Sequence, residues 1–298
     1  MGLERLLSSP NPPLLAHLEG LAARLAGTAR GALYGDSSLW AMQVRNAGQV
    51  IGCRTGMLGC TPLLAAEALG SCIEWEGGRV LTGPSPPVVR RHPTAYWTSL
   101  LGALEQLTAD PARGPVVARL PGPALLAHLW GVACDESFLA ALKPEFMSLV
   151  VGLCQRRPDL LIIQEHPAEQ SAQLSLAHRR LLITVRNVAR HYDVSLGIGV
   201  GSAGSAATEA YARTQPEALL LDASRDLPSP ETIRSWLASV RLVGVAIELT
   251  DTSGALHRVE EARRALPRGR WLACTASELP TTAELANVRE LVSELRLS

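Results

Sequence analysis

Short apolar segments, rich in valine, isoleucine and leucine on consecutive positions, alternate along the chain with amphipathic segments. Consecutive apolar positions are typical of strands that are buried on both faces of a parallel sheet. Eight strands are predicted, at residues 32–36, 50–58, 115–120, 159–165, 195–200, 218–224, 242–249 and 270–275. Apolar residues at helical spacing predict helices between them, at residues 94–109, 138–156, 174–192, 230–240 and 257–266. This alternation implies right-handed parallel crossovers, and eight such units in roughly 250 residues predict a (β/α)8 TIM barrel of the α/β class.

The chain contains no internal repeat, low-complexity tract or linker that would mark a domain boundary. Its 298 residues, 47% of them hydrophobic, are enough to bury a large core. We therefore predict a single TIM-barrel domain over residues 1–298, with an N-terminal helical lead-in at residues 1–30.

Polar side chains follow several of the predicted strands, at the end where a TIM barrel carries its active site. In the segment at 158–169, four apolar residues run directly into Gln164, Glu165 and His166. We predict Glu165 as a base or an anchor and His166 as an acid–base group or a ligand. Asp222 and Glu248 follow two later strands and are predicted to orient the substrate, although any barrel must end its strands in polar residues.

A glycine-rich segment follows the fifth predicted strand. Gly199, Gly201 and Gly204 have the G-x-G-x-x-G spacing of a dinucleotide site, and the next strand ends in Asp222. This unit is the fifth of eight, whereas a Rossmann fold usually places the motif first. The alternative is a loop of small residues that lets a ligand approach closely, with Gly199, Gly201 and Ser202 as substrate-binding residues.

Charge and cysteine usage narrow the class of protein. The chain has 28 basic and 28 acidic residues and therefore no net charge. It has no excess of positive charge that would attract nucleic acid or an anionic membrane. Lys143 is the only lysine and lies in a helical pattern, which argues against Schiff-base chemistry. Six cysteines without a CxxC pair, and no apolar run of membrane-spanning length, predict a reduced, soluble, cytoplasmic protein.

Five segments, in order, resemble the uroporphyrinogen decarboxylase superfamily, which includes corrinoid-related methyltransferases and, more distantly, cobalamin-independent methionine synthase. They are CTPLLAAEALGSCIEWEGGRVLTGPSP (60–86), LPGPALLAHLWG (120–131), DLLIIQEHPAE (159–169), VSLGIGVGSAGSA (194–206) and RWLACTASELPTTAELANVRELV (270–292). The second is closer to the methyltransferase branch. The resemblance implies a barrel of the uroporphyrinogen decarboxylase type.

The chain departs from the decarboxylase pattern at the positions that carry that chemistry. The catalytic aspartate of the family falls on Thr61, and a family tyrosine falls on Leu129. The family's N-terminal arginine signature is missing, which leaves four arginines as candidates for binding substrate carboxylates: Arg45, Arg54, Arg90 and Arg91. Decarboxylation of a tetrapyrrole or a smaller acid, with Thr61 and Glu165 replacing the aspartate, therefore stays an alternative.

The methyltransferase branch implies a zinc ion that lowers the pKa of a thiol. The branch's His-x-Cys pair falls on the glycines at 197–201, and only Cys274 lies near an expected ligand position. A zinc site rebuilt from Glu165, His166 and Cys274 is one hypothesis, and Cys274 as a small core residue is the other. The cofactor is otherwise unknown.

Three functional hypotheses follow. The leading one is an enzyme that converts a small organic substrate at the barrel mouth, most like the methyltransferase branch, with Thr61, Gln164 and Arg54 among its substrate-binding residues. The second is the decarboxylase. The third is a non-catalytic binding or accessory protein, a partner of a corrinoid protein or of another enzyme.

Overall fold

The structure, a computed structural model, describes residues 2–7, 13–75, 79–82, 94–110, 114–165, 174–201, 205–221, 227–275, 277–279 and 284–297. The strands are β1 (Leu14–Leu15), β2 (Gly56–Leu58), β3 (Cys72–Glu74), β4 (Arg79–Thr82), β5 (Val116–Pro121), β6 (Leu160–Gln164), β7 (Ser195–Val200), β8 (Ala218–Leu221), β9 (Leu242–Ile247) and β10 (Trp271–Thr275). The helices are α1 (Gly2–Leu7), α2 (Glu19–Ala26), α3 (Arg30–Gly35), α4 (Ser37–Ile51), α5 (Pro62–Ala68), α6 (Ala95–Ala109), α7 (Pro123–Leu129), α8 (Glu136–Gln155), α9 (Leu176–His191), α10 (Ser205–Ala212), α11 (Pro230–Leu237), α12 (Thr252–Ala265) and α13 (Leu285–Leu297).

Eight of the strands form one parallel sheet in the order β1-β10-β9-β8-β7-β6-β5-β2. The sheet curls into a nearly closed barrel with helices between successive strands, which confirms the predicted (β/α)8 fold. β3 and β4 form a separate antiparallel hairpin. Within the described residues no ladder joins β1 to β2, and we call this unpaired edge the seam. Side chains cross the seam instead: the Cys53 thiol contacts the Leu14 carbonyl at 3.2 Å, and Gly59 N–H donates to Glu19 Oε1 at 3.0 Å.

The predicted first strand, at residues 32–36, is wrong. The structure places it in helix α3, and Asp36 caps the next helix by accepting hydrogen bonds from Ser38 N (2.9 Å) and Leu39 N (3.0 Å). The first barrel strand is β1, which pairs with Ala273 and Cys274 of β10. Two residues carry too little apolar periodicity to be recognised as a strand, whereas the longer apolar run at 32–36 is enough to predict one.

The barrel interior is filled by apolar side chains. Leu15, Met57, Ile162, Leu220 and Leu272 are buried together in this interior, and β6 and β7 contribute few polar side chains to it. Helix α1 adds two buried leucines to the same cluster, and Leu3 N–H donates to Ser195 Oγ (3.2 Å) at the start of β7. The helix therefore covers the N-terminal end of the barrel, and the mouth is the end left for a ligand.

Among the described helices, only α8 is long and apolar enough to cross a membrane by length and composition. One such helix is a weak indication, because the core helix of a globular protein passes the same test. Phe138, Leu142, Phe146 and Val150 of α8 are buried in the core between the barrel and its outer helices. We therefore interpret α8 as a helix of the barrel's outer layer.

Candidate active site at the mouth of the barrel

A cavity of about 200 Å³ opens at the C-terminal ends of β1, β2, β5 and β6. Its polar lining comes from four strands or the loops that follow them, whereas two prolines and a leucine supply an apolar side. The lining residues are His17, Gly59, Cys60, Pro62, Arg119, Pro121, Leu125, Gln164 and Glu165. Because parallel strands bring their carboxyl ends to one face, residues far apart in sequence meet here.

Arg119 is the cationic side chain in the lining of this cavity. It lies within β5, a strand otherwise made of apolar residues, and its side chain points inward. One guanidinium nitrogen contacts the ring of His17, at 3.2 Å from Nδ1, and another donates to Gln164 Oε1. Arg119 Nε is buried and has no hydrogen-bond partner in the part of the chain that the structure describes. Among the described residues, no carboxylate forms an ion pair with this arginine.

His17 lies two residues beyond β1, where its backbone N–H donates to Thr275 Oγ1 at 2.9 Å. Burial lowers the pKa of His17 well below its usual value, and the adjacent Arg119 charge lowers it further. The imidazole is therefore neutral at pH 7 and accepts a hydrogen bond from the guanidinium without neutralising its charge. The positive charge of Arg119 is left for a ligand.

Gln164 and Gly199 were both predicted to bind substrate, and the structure brings them together. They are register partners on β6 and β7. A Cβ atom on Gly199 would overlap Gln164 Oε1, so only glycine leaves room for the amide in this position. Gln164 in turn holds Arg119, which gives Gly199 an indirect role in positioning the cation.

Glu165, the predicted base or anchor, is fully buried directly after β6. Its Oε1 lies 2.9 Å from His178 Nε2, and its Oε2 accepts the backbone N–H of Ala124 at 3.0 Å, in the first turn of α7. A Cβ atom on Gly122 would overlap Glu165 Cδ, so the carboxylate packs directly against a glycine backbone. Both oxygens have donors, which suits an anchor better than a free base.

His178 enters from α9, where its side chain is almost completely buried. Burial alone lowers the pKa of His178, but the Glu165 charge and hydrogen bonds with Cys134 and Glu165 outweigh it and raise this pKa to about 10. At neutral pH His178 is therefore an imidazolium, which donates its Nε2 hydrogen to Glu165 Oε1. It ties α9 to the end of β6 and α7, beneath the wall of the cavity.

Two other predicted residues, Thr61 and Gly201, follow strands at their C-terminal ends. Thr61 caps α5, with its Oγ1 accepting Leu63 N–H at 3.4 Å, between the lining residues Cys60 and Pro62. Gly201 is buried immediately after β7.

Glu248 follows β9 and accepts a hydrogen bond from Ser277 Oγ at 2.8 Å, in a partly exposed position outside the cavity lining. Arg54 is exposed and precedes β2, at the end of the barrel opposite the mouth. Arg45 pairs with Asp110 (3.5 Å) on the outer helices.

Five of the predicted residues, His166, Ser202, Asp222, Arg90 and Arg91, lie outside the described residues. Their proposed roles stay predictions.

The zinc hypothesis can be compared with the donors that the structure describes. Cys274 is buried in β10, where its side chain joins the apolar barrel interior below Arg119 and Gln164. Glu165 already has a donor on each oxygen. Within the described part of the chain, no group of three or more His, Cys, Asp or Glu side chains is arranged to hold a metal ion. The third predicted ligand, His166, lies outside the described residues, so the three-ligand zinc site stays a prediction.

Three residues of the site were missed by sequence reasoning. Arg119 had a usable signal, since it is a lone charge within an apolar strand whose neighbours are all buried. His17 was hidden because its strand is only two residues long. His178 lies in a helix where its neighbours Arg179 and Arg180 make it resemble a solvent-facing residue.

Comparison with known proteins supports the fold. No protein-family profile matches the chain, and no curated protein is similar to it in sequence. Among solved structures, a methyltransferase from Methanosarcina mazei superposes with a TM-score of 0.71 at 14% identity, covering 99% of this chain and 96% of that one. An endo-beta-N-acetylglucosaminidase from Cordyceps militaris, in apo form, gives a TM-score of 0.40 at 13% identity over 69% of this chain and 78% of that one. The first match shows the same fold over the full chain, and the second is too weak to support an argument.

Proposed function

We propose that this protein is an enzyme that binds a small anionic organic substrate at the mouth of the barrel, with Arg119 as the anion-binding residue. The observation that carries the proposal is a guanidinium inside the cavity without a carboxylate partner among the described residues. Arg119 is half-buried, and withdrawing a guanidinium from water without a counter-ion lowers stability, so its retention in the cavity favours a ligand that supplies the opposite charge. Arginine suits this task because its planar fork binds a carboxylate, sulfonate or phosphate through two hydrogen bonds.

The cavity size supports a small substrate. Its volume of about 200 Å³ equals roughly seven water molecules in the liquid and lies below the range of roughly 300–1,000 Å³ typical of sites for drug-sized ligands. A tetrapyrrole is far larger. If the chemistry is decarboxylation, the second hypothesis, the volume favours a smaller carboxylic acid.

The surrounding groups suggest separate roles. His17 and Gln164 orient the guanidinium, while Pro62 and Leu125 offer apolar contact to the uncharged part of a substrate. Glu165 serves as an anchor, because His178 and the start of α7 occupy its oxygens. Catalytic acid–base groups would then come from elsewhere at the mouth, and His166 and Asp222 stay the predicted ones.

The reaction class that we favour is methyl transfer, as in the methyltransferase branch. The likeness in fold to the Methanosarcina methyltransferase and the LPGPALLAHLWG segment (120–131) support it. A corrinoid protein or another enzyme is the proposed partner, and the cytoplasm the proposed location. The third hypothesis, an accessory protein without chemistry, predicts a cavity filled by large side chains, which the open cavity beside Arg119 disfavours.

Ligand binding tests the proposal directly. Small carboxylates, sulfonates and phosphates, each paired with an uncharged amide or alcohol of the same size, would be titrated calorimetrically into wild type, Arg119→Gln and Arg213→Gln. Arg213 is a matched control because it is an exposed arginine on the protein surface. Loss of a buried charge-assisted contact costs about 2–5 kcal/mol, so Arg119→Gln should weaken anion binding at least about thirtyfold. Equal binding by Arg119→Gln and wild type would contradict the proposal.

Metal content separates methyl transfer through zinc from other chemistries. Protein purified without chelator would be analysed for zinc, with Cys274→Ala and His166→Ala as variants. Stoichiometric zinc that both substitutions remove would support the zinc-site hypothesis. Methylation of a thiol would then be the activity to assay. Zinc-free wild type would leave anion binding intact as a proposal but move decarboxylation of a small acid ahead of methyl transfer.

A further inference from the structure

Cys134 is a thiol that the proposed chemistry does not use. It is partly exposed and directly precedes Asp135, the N-cap of α8. The Cys134 side chain forms a hydrogen bond with the side chain of His178, and His178 Nε2 lies 2.9 Å from Glu165 Oε1. A thiol, an imidazole and a carboxylate therefore follow one another in contact, from the surface to the wall of the cavity. This order is the arrangement that activates cysteine nucleophiles.

The loop that carries Cys134 is fixed on both sides. Before it, Val132 N–H donates to the carbonyl of Ala127 at 3.0 Å, which closes the end of α7. After it, Asp135 Oδ1 accepts Phe138 N–H at 2.8 Å, which caps α8. The residues on either side of Cys134 in the sequence are exposed. The sulfur is therefore held in place by an ordered backbone at a position that a small molecule can reach from solvent.

His178 is placed beside this sulfur as a hydrogen-bond donor. Its side chain is almost completely buried, and the ring of Tyr211, from α10, packs edge-on against it with 6.2 Å between centroids. As an imidazolium at neutral pH, His178 has no free lone pair with which to take the thiol proton. It instead offers a positive charge and an N–H to the sulfur, and both are features that favour a thiolate.

The charged and titratable groups that the described contacts place at this centre come from four elements. They are His178 on α9, Glu165 after β6, Tyr211 on α10 and Asp135 on the loop itself. Asp135 is exposed, so water screens its charge, and its Oδ1 accepts two hydrogen bonds at 2.8 Å in the first turn of α8. Glu165 has a donor on each oxygen. The imidazolium is therefore the charge in direct contact with the sulfur.

We infer that Cys134, His178 and Glu165 form a reactive thiol centre beside the substrate cavity, at which Cys134 exchanges with small disulfides. Cys134 first releases its proton to solvent, and its sulfur then attacks one sulfur of a disulfide RS–SR. The S–S bond breaks, a mixed disulfide Cys134–S–SR forms, and RS⁻ leaves and takes up a proton. The disulfide is the oxidant, so no other redox partner is needed. Cys134 does not line the cavity, and this inference therefore goes beyond the proposed function and does not rest on it.

The first test is the pH dependence of alkylation in wild type. The protein would be treated with iodoacetamide at pH 7 and pH 6, and peptide mass spectrometry would give the rates at Cys134 and at the exposed Cys72. Comparing each cysteine with itself at the two pH values cancels differences in accessibility. An ordinary thiol reacts about tenfold more slowly at pH 6, because its thiolate fraction falls in proportion. Cys134 should lose less than about threefold, and a tenfold loss there would overturn the inference.

The second test removes the imidazolium. His178→Gln should give Cys134 the tenfold loss of an ordinary thiol, whereas the surface control His257→Gln should keep the wild-type ratio. A wild-type ratio in His178→Gln would contradict the role of His178. Circular dichroism at both pH values would show whether His178→Gln is folded, and the wild-type profile decides if it is not.

Oxidised glutathione tests the disulfide step itself. At pH 6, wild type should acquire its first glutathione adduct at Cys134, as located by peptide mass spectrometry, and a first adduct at Cys72 would count against the exchange. Neither the alkylation nor the adduct depends on whether Arg119 binds anions. The thiol centre and the anion site can therefore fail separately.

Discussion

The buried pair of Glu165 and His178 makes the sharpest prediction about stability. We would replace His178 by Gln, which removes the cation and keeps most of the side-chain volume. The pair is 2.9 Å apart, with the His178 side chain 6% exposed and the Glu165 side chain 0% exposed. Removing one member leaves a buried carboxylate without its cation, which typically costs about 3–5 kcal/mol.

The pH dependence follows from the raised pKa of His178. A pKa that rises from 6.5 in the unfolded chain to about 10 in the folded protein corresponds to about 5 kcal/mol, at ~1.4 kcal/mol per pH unit. Because the folded pKa is the higher one, this stabilisation is complete below pH 6.5 and is lost as the pH rises towards 10.

Urea unfolding at pH 6, 8 and 9.5 would measure the free energy of unfolding of wild type, His178→Gln and His257→Gln. His257 is a matched control, since it pairs with Glu261 at 3.6 Å on a helix surface and is 75% exposed. Surface pairs contribute little, so His257→Gln should change stability by less than about 1 kcal/mol. The advantage of wild type over His178→Gln should shrink steadily from pH 6 to 9.5. An advantage that is small at pH 6, or constant with pH, would refute the buried ion pair.

Three further predictions concern the cavity. Gly122→Ala should displace the Glu165 carboxylate and destabilise the protein by about 1–3 kcal/mol. Thermal unfolding would compare it with Gly152→Ala, whose added methyl group meets only ordinary contacts. Equal effects of the two substitutions would count against the close packing of Gly122 and Glu165. Gly199→Ala should push Gln164 aside and weaken anion binding by calorimetry while leaving circular dichroism unchanged, and unaltered binding would remove Gln164 from the site. Arg119→Gln should leave the melting temperature unchanged or raise it, because it removes a half-buried charge that has no carboxylate partner in the described part of the chain. A marked drop would mean that this arginine is structural.

Much of the barrel could be predicted because its longest strands carry a local signal. The runs at β5, β6, β7 and β9 are apolar on consecutive positions, and their predicted bounds agree with the structure to within two residues. The first strand could not be found in this way. β1 has two residues, and what makes it a strand is the edge of β10 beside it, with Leu14 opposite Ala273. Because β1 was not predicted, His17 and Glu19 could not be recognised as residues that follow a barrel strand.

The sequence alone determined the alternation of strands and helices, and it marked Glu165 and Gln164 as polar residues at a strand end. Both properties are local, since apolar periodicity and its interruption are visible within a few residues. Only the tertiary structure decided what these side chains meet. Glu165 contacts Ala124, 41 residues earlier, and His178, 13 residues later. These residues meet because of the register of the parallel strands and the packing of α7 and α9. Both depend on the closure of the whole barrel.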